Sequence, residues 1–169
     1  ALGLIGALAL PMAADAATVG DARAAARLYS AAFDREPDDD GLNFWINSLD
    51  QGVPLLRIAE KFRNSPEFQS RYGELSDLDF VRQLYRNVLR REGEQSGVEY
   101  WVGVLAAGES QATVLRQFSD SPENRRKTDD LFVEMHQGED GRWGYDAFSG
   151  PVRSIGTIDG FGSIFVNGI

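Results

Sequence analysis

The sequence contains no cysteine, so disulfides, thiolate metal sites and a cysteine nucleophile are excluded together. Its only histidine is His136, and a site built on two imidazoles would need a second chain. Positive charge is also scarce: 17 Lys and Arg against 26 Asp and Glu leave a formal net charge of -9. A surface of that sign repels phosphate, which argues against nucleic acid and anionic membranes as partners and leaves basic partners and cations open. Long apolar runs are missing. Residues 1–10 form an apolar stretch that falls short of the roughly 20 residues needed to span a bilayer. No G-x-S-x-G elbow occurs for a hydrolase serine, and Gly160 and Gly162 do not open a helix that would cradle phosphate. With 26 acidic residues, pairs of carboxylates arise by chance, so a glycosidase reading has no specific support.

What is present is a duplication. Apolar and charged fractions of 43% and 25% are those of a folded globular chain. Residues 28–67 are written again as residues 84–123 at an offset of 56 (84 − 28), without a gap. The matched positions include Tyr29/Tyr85, Arg35/Arg91, Glu36/Glu92, Trp45/Trp101, Phe62/Phe118 and the runs Ser65-Pro66-Glu67 and Ser121-Pro122-Glu123. A repeated structural unit follows from this self-similarity before any motif is considered.

Each unit reads as about four helices. From Asp21, the residues Ala25, Leu28, Tyr29, Ala32 and Phe33 form one apolar stripe at helical spacing, ending near Asp34. Pro37 and its acidic neighbours break the chain, and a second helix starts at Asp40 and carries Leu42, Trp45, Ile46 and Leu49 as far as Gly52. Pro54 suits the first turn of a third helix, and Ser65-Pro66-Glu67 is a complete start signal for a fourth. The second unit repeats this grammar from Ser76, and its last helix is expected to run to about Gln137, with His136 complementing the C-terminal end of its dipole.

The flanks differ. Residues 1–16 read as the remnant of a secretory signal cut after Ala14-Asp15-Ala16, in a sequence that starts partway into its gene product; Gly3 and Gly6 argue against a buried helix there. Residues 17–137 form the duplicated helical domain, with units at about 21–73 and 76–137. Residues 138–153 have linker composition, and residues 154–169 look like the start of a β domain, with a hairpin signal at Asp159-Gly160 and a further turn at Asn167-Gly168.

The order Leu28-Tyr29, then Phe33-Asp34-Arg35-Glu36-Pro37-Asp38, then Gly41-Leu42-Asn43-Phe44-Trp45, then Phe62 and Ser65-Pro66-Glu67-Phe68 resembles the bacterial domain of unknown function DUF4214. The second copy departs from that pattern: Gly93 stands in place of the proline and Asn124 in place of the last phenylalanine. The resemblance implies an all-helical module of secreted and surface proteins, similar to phycobilisome linker domains, often beside calcium-binding repeats and with no established activity. Residues 156–168 are similar to the start of a second uncharacterised β module, DUF5666.

Three constellations invite a chemical reading. Trp45 and Trp101 have the aromatic surface to stack on a sugar or a cation, but each sits inside an apolar stripe, which assigns them to core packing. Glu36, Asp38 and Asp40, followed by Gly41, imitate the first half of a calcium loop, yet position 12 is Asn47 where a bidentate glutamate belongs. They are the only metal candidates, and calcium is the one cofactor left open. The matched Arg35-Glu36 and Arg91-Glu92 either lock their loop to a neighbouring helix or present a shared partner epitope.

The expectation is therefore an all-α, internally duplicated domain, two units of about four helices packed through their tryptophan-bearing helices, followed by a linker and a truncated β-hairpin. Its expected role is that of a non-enzymatic structural or interaction module of an exported bacterial protein, secreted, periplasmic or on the cell surface, with a protein or cell-surface partner. The competing reading is a calcium- or carbohydrate-dependent surface-binding module.

Overall fold

The fold is taken from a computed structural model, which describes residues 17–128, 132, 135–145, 156–157 and 163–164. Within them run eight helices: α1 (Val19–Phe33), α2 (Asp39–Asp50), α3 (Leu55–Arg63), α4 (Pro66–Tyr72), α5 (Asp77–Leu89), α6 (Gln95–Ala106), α7 (Gln111–Ser119) and α8 (Pro122–Thr128). Four short strands follow, β1 (Met135–Gln137), β2 (Trp143–Tyr145), β3 (Gly156–Thr157) and β4 (Ser163–Ile164), paired antiparallel as β1–β2 and β3–β4. The segment read as a signal remnant lies outside the described residues, as does most of the stretch that resembles DUF5666.

Local chemistry sets the helix ends. Thr18 and Asp21 form a capping box at the start of α1, two residues earlier than the apolar stripe alone implies. Ser65 accepts the Phe68 N–H at 3.1 Å with Pro66 in the first turn, so the start signal acts as written. The α2 cap is Asp38 rather than Asp40: its carboxylate accepts the Gly41 N–H at 2.8 Å, and the helix is under way by Asp39. Asp34 and Arg90 close α1 and α5 in the left-handed region, at φ 52° and 55°, and these two equivalent residues form an ion pair with each other.

The units do not meet through their tryptophan-bearing helices. The main inter-unit packing is α3 against α7 and α1 against α7 and α5, while α2 and α6 lie on the outside. The reason is the distribution of apolar surface: α1, α3, α5 and α7 together supply Leu28, Phe33, Ile58, Phe62, Phe80, Leu84, Val114, Leu115 and Phe118 to one continuous interior. At about 25 cal/mol per Å² of apolar surface, joining two half-cores is more favourable than closing each alone. Arg27 of α1, itself buried, reaches Asp120 of the second unit at 3.2 Å across this junction.

The largest departure from expectation is at the end of the domain. The last described helix is Pro122–Thr128, and Met135–Gln137 is a strand, registered so that Met135 faces Tyr145 and Gln137 faces Trp143. His136 is therefore an exposed strand residue, not a helix-end cation. What reads as linker includes a tight turn, with the Gly138 N–H donating to the Arg142 carbonyl at 2.8 Å and Gly141 at φ 76°. Trp143 and Met135, with Phe132, pack on Ala22, Ala25 and Ala26 of α1 and on Leu42 and Ile46 of α2. A second core thus lies behind α1, and α1 is buried on nearly every side between the two. Its alanines are what let elements approach from both directions.

Candidate functional site

The matched arginines sit where α1 and α5 give way to their loops, and both turn inward. Arg35 grips Glu67 with two parallel hydrogen bonds, Nε to Oε1 at 2.9 Å and Nη2 to Oε2 at 3.1 Å, while Nη1 donates to the Glu36 carbonyl at 3.2 Å. Its guanidinium also donates to the Tyr29 hydroxyl and lies 4.7 Å from the centre of that ring. Arg91 repeats the arrangement on Glu123, at 3.2 and 3.0 Å, with the Glu92 carbonyl at 3.2 Å and the Tyr85 ring centre at 5.2 Å. A planar fork against a carboxylate is the strongest polar contact a loop of this size can make. Each fork ties the loop after the first helix of its unit to the start of the fourth.

The electrostatics agree with that geometry. The hydrogen bonds from Arg35 hold the Glu67 carboxyl below its ordinary value, and those from Arg91 do the same for Glu123. In return Glu67 and Glu123 push the guanidinium values up, with Glu94 assisting at Arg91. Burial raises the Tyr29 and Tyr85 hydroxyls. The glutamate and arginine shifts favour the ion-paired state and the tyrosine shifts the neutral phenol; none of them poises a group to exchange protons near neutrality.

The remaining predicted site residues are dispersed. The side chains of Glu36 and Glu92 are on the outside, and Glu92 makes a long contact with Arg86 at 3.7 Å. Asp38 is held below its ordinary value, chiefly by the Gly41 N–H. Asp40 pairs with Arg142 of the hairpin at 2.7 Å. A calcium loop needs alternate residues to face one centre, and here the chain becomes helical at Asp39, which sends successive carboxylates around an axis. Among the described residues, no three carboxylates or imidazoles gather closely enough to hold a metal ion.

The second unit reaches its turn by a different route. At Gly93 an added Cβ would lie 2.6 Å from Tyr85 Cδ2 and 2.6 Å from Val98 Cγ2, and at Gly97 it would lie 2.3 Å from the Tyr85 hydroxyl. Gly93, where the first unit has Pro37, is required because the Tyr85 ring occupies that space. The Tyr29 hydroxyl accepts from Arg35, whereas the Tyr85 hydroxyl is turned toward Gly97.

The tryptophans are half-buried. The inner side of Trp45 packs edge-on to Phe62 with ring centres 4.8 Å apart, and that of Trp101 packs on Phe118 at 5.0 Å. Against each outer side stands a more exposed aromatic neighbour, Phe44 at 4.8 Å and Tyr100 at 5.1 Å. Phe44 and Tyr100 are 60% and 64% exposed and occupy equivalent places on α2 and α6. In the sequence, an aromatic recurs beside the apolar stripe in both copies, and apolar periodicity alone does not mark these two as the ones left outside.

Sequence reasoning also missed Asn43, which joins helix to hairpin. Its Nδ2 donates to the Trp143 carbonyl at 2.7 Å and to the Asp39 carbonyl at 2.7 Å, and its Oδ1 accepts the Trp143 N–H at 2.7 Å. A side-chain amide here pairs with a strand as a neighbouring strand would.

No helix among the described residues is long and apolar enough to cross a membrane. No match is found among curated proteins or among solved structures. The sequence does match the family model described as "Domain of unknown function (DUF4214)", over residues 14–55 and 59–128. With most of its helical region inside that match and a largely helical fold to accompany it, the chain belongs to the DUF4214 family.

Proposed function

We propose that this chain is a non-enzymatic interaction module of an exported bacterial protein, built from two copies of one helical unit and contacting its partner through the outer faces of α2 and α6. The observation that carries this reading is the placement of Phe44 and Tyr100: two large aromatic side chains at matched positions, left in water where the other described aromatics, from Tyr29 to Trp143, are buried or half-buried. Exposed aromatics are costly to leave uncovered and are enriched where proteins meet. The reading is supported further by the arginine forks, which are spent inside the chain as loop locks. Export rests on the signal-like residues 1–16, and likeness to phycobilisome linkers on the resemblance alone.

The test is site-specific photocrosslinking in cells, with the reactive residue placed at position 44, at position 100 or, as a control, at the exposed Arg57 on α3. One and the same adduct from positions 44 and 100, with none from 57, is expected. Adducts that do not differ between the three positions would remove the basis for this surface. Release of a chain beginning near Ala17 into the periplasm or medium checks export.

The second reading, a carbohydrate-binding surface, draws on the same aromatics, since an exposed ring flanked by an indole is a sugar platform. Binding on a glycan array that disappears with Phe44→Ala and Tyr100→Ala would favour it over a protein partner. Calcium dependence would appear as loss of that binding in a chelator.

A further inference from the structure

The two units present equivalent helix pairs, and among the described residues only the pair of the first unit is covered by a hairpin. On the first unit the β1–β2 hairpin lies across α1 and α2, burying Trp143 in one cluster with Ala22, Ala26 and Leu42 and fastening its backbone to Asn43. At the corresponding place on α5 and α6, 56 residues further on, stand Leu78, Arg82, Val98 and Glu99. These four, with Gly93 and Gln95, line an open groove of about 360 Å³.

The replacements change what the face accepts. Ala22 and Ala26, which share the buried cluster of Trp143 on the first unit, correspond to the larger Leu78 and Arg82 on the second. Asn43, able to donate and accept, has become Glu99, which only accepts. Val98 is buried at the floor of the groove, and Leu78 remains 39% exposed. Arg82 makes no ion pair or hydrogen bond with another described residue, and the Glu99 carboxylate is held only by Gln95 Nε2 at 2.8 Å. The groove therefore offers one unspent cation, one available anion and an uncovered leucine. A surface carrying both signs around an apolar residue is complementary to itself under a two-fold rotation.

We infer that the α5/α6 groove is a contact between two copies of this chain, in which Arg82 of one protomer pairs with the partner's Glu99, the reciprocal pair forms on the other side of the axis, and the two Leu78 side chains cover each other. This contact stands apart from the outer-face reading above, because its partner is the chain itself. The apolar share is small, so the dimer belongs to the low end of interface sizes, below about 1,200 Å² of total buried area, and is reversible. The same unit that lacks a hairpin cover is thereby covered in trans.

Sedimentation equilibrium of the full chain, from about 5 to about 500 µM, tests this at low and high salt. The native chain is expected to show a monomer–dimer equilibrium that weakens with salt. Arg82→Glu and Glu99→Arg each place like charges together twice, and each is expected to raise the dimer Kd by more than about tenfold. The double variant restores the pairing with its polarity reversed and is expected to return to within about threefold of the native Kd. Arg57→Glu, on α3, should leave it unchanged. Equal melting curves by circular dichroism establish that each variant is folded. A native chain that stays monomeric throughout, or a double variant that stays monomeric when both single variants are, overturns the inference. Loss of the photocrosslinked adduct at positions 44 and 100 with an intact dimer would refute the outer-face reading alone.

Discussion

Replacing Trp143 with alanine separates a docked hairpin from a linker. Trp143 is 7% exposed and belongs to the interior shared with Phe132, Met135, Leu42, Ile46 and the alanines of α1. Truncating a buried tryptophan costs about 3–5 kcal/mol, the lost transfer energy plus the cavity left behind. Against a typical total of about 5–15 kcal/mol this is a large share. In a domain of this size it corresponds to a fall in Tm of roughly 10–20 °C. A second route reaches the same joint without touching the indole. Asn43→Ala strands the Trp143 N–H and carbonyl in a buried setting, at about 1–3 kcal/mol for each group left unpaired. Because the two changes break one joint, their effects should be less than additive. Urea unfolding followed by circular dichroism measures each variant and the pair. If Trp143→Ala shifted stability by no more than about 0.5 kcal/mol, as a surface change in a linker would, the second core would not exist as described.

Gly93→Ala drives a methyl group into Tyr85 and Val98 and should cost about 1–3 kcal/mol by overpacking, measured by the same urea titration; a neutral result would show that the Tyr85 ring can move aside. Asp120→Asn removes the charge that meets buried Arg27 between the units, with an expected loss of about 1–3 kcal/mol, and no loss would mean that solvent already satisfies the guanidinium. The arginine forks set a pH dependence with a definite sign. Glu67 and Glu123 have folded values below their unfolded ones, so the native state binds fewer protons and their contribution is fully present above the ordinary glutamate value of about 4.3. It should fade as the pH falls from there through the depressed folded values, and Glu67→Gln with Glu123→Gln should flatten the acid limb of a Tm-against-pH curve. A limb of unchanged slope would show that other carboxylates dominate acid unfolding.

The candidate loops were legible because their chemistry is local. A serine, a proline and a glutamate in a row start a helix wherever they occur, whereas the recurrence of Arg35 and Arg91 left a lock onto a neighbouring helix and a shared partner epitope both open, and the forks to Glu67 and Glu123 show the lock. Asp38 and Asp40 were harder to read. Capping and calcium binding use the same residue types, and only the backbone at Asp39 separates them. Phe44 and Tyr100 recur beside the stripe in both copies, but a stripe of apolar residues does not say which member at its edge is left outside.

Taken alone, the order of residues determined the periodic helices, their caps and the matching of the two halves, since each depends on neighbours within a few positions. Tertiary structure decided what those helices face. That α1 is buried on both sides, that α3 and α7 rather than α2 and α6 join the halves, and that a glycine-rich stretch folds back to cover the first half all depend on contacts across long separations, such as Asn43 with Trp143. Composition marked residues 138–153 as a linker because glycine and charge dominate them, and the structure places residues 138–145 of that stretch in the β1–β2 hairpin. Burial of Trp143 with Phe132 and Met135 against α1 and α2, together with the Asn43 hydrogen bonds to the Trp143 backbone, makes them part of the fold, through contacts that local composition does not encode.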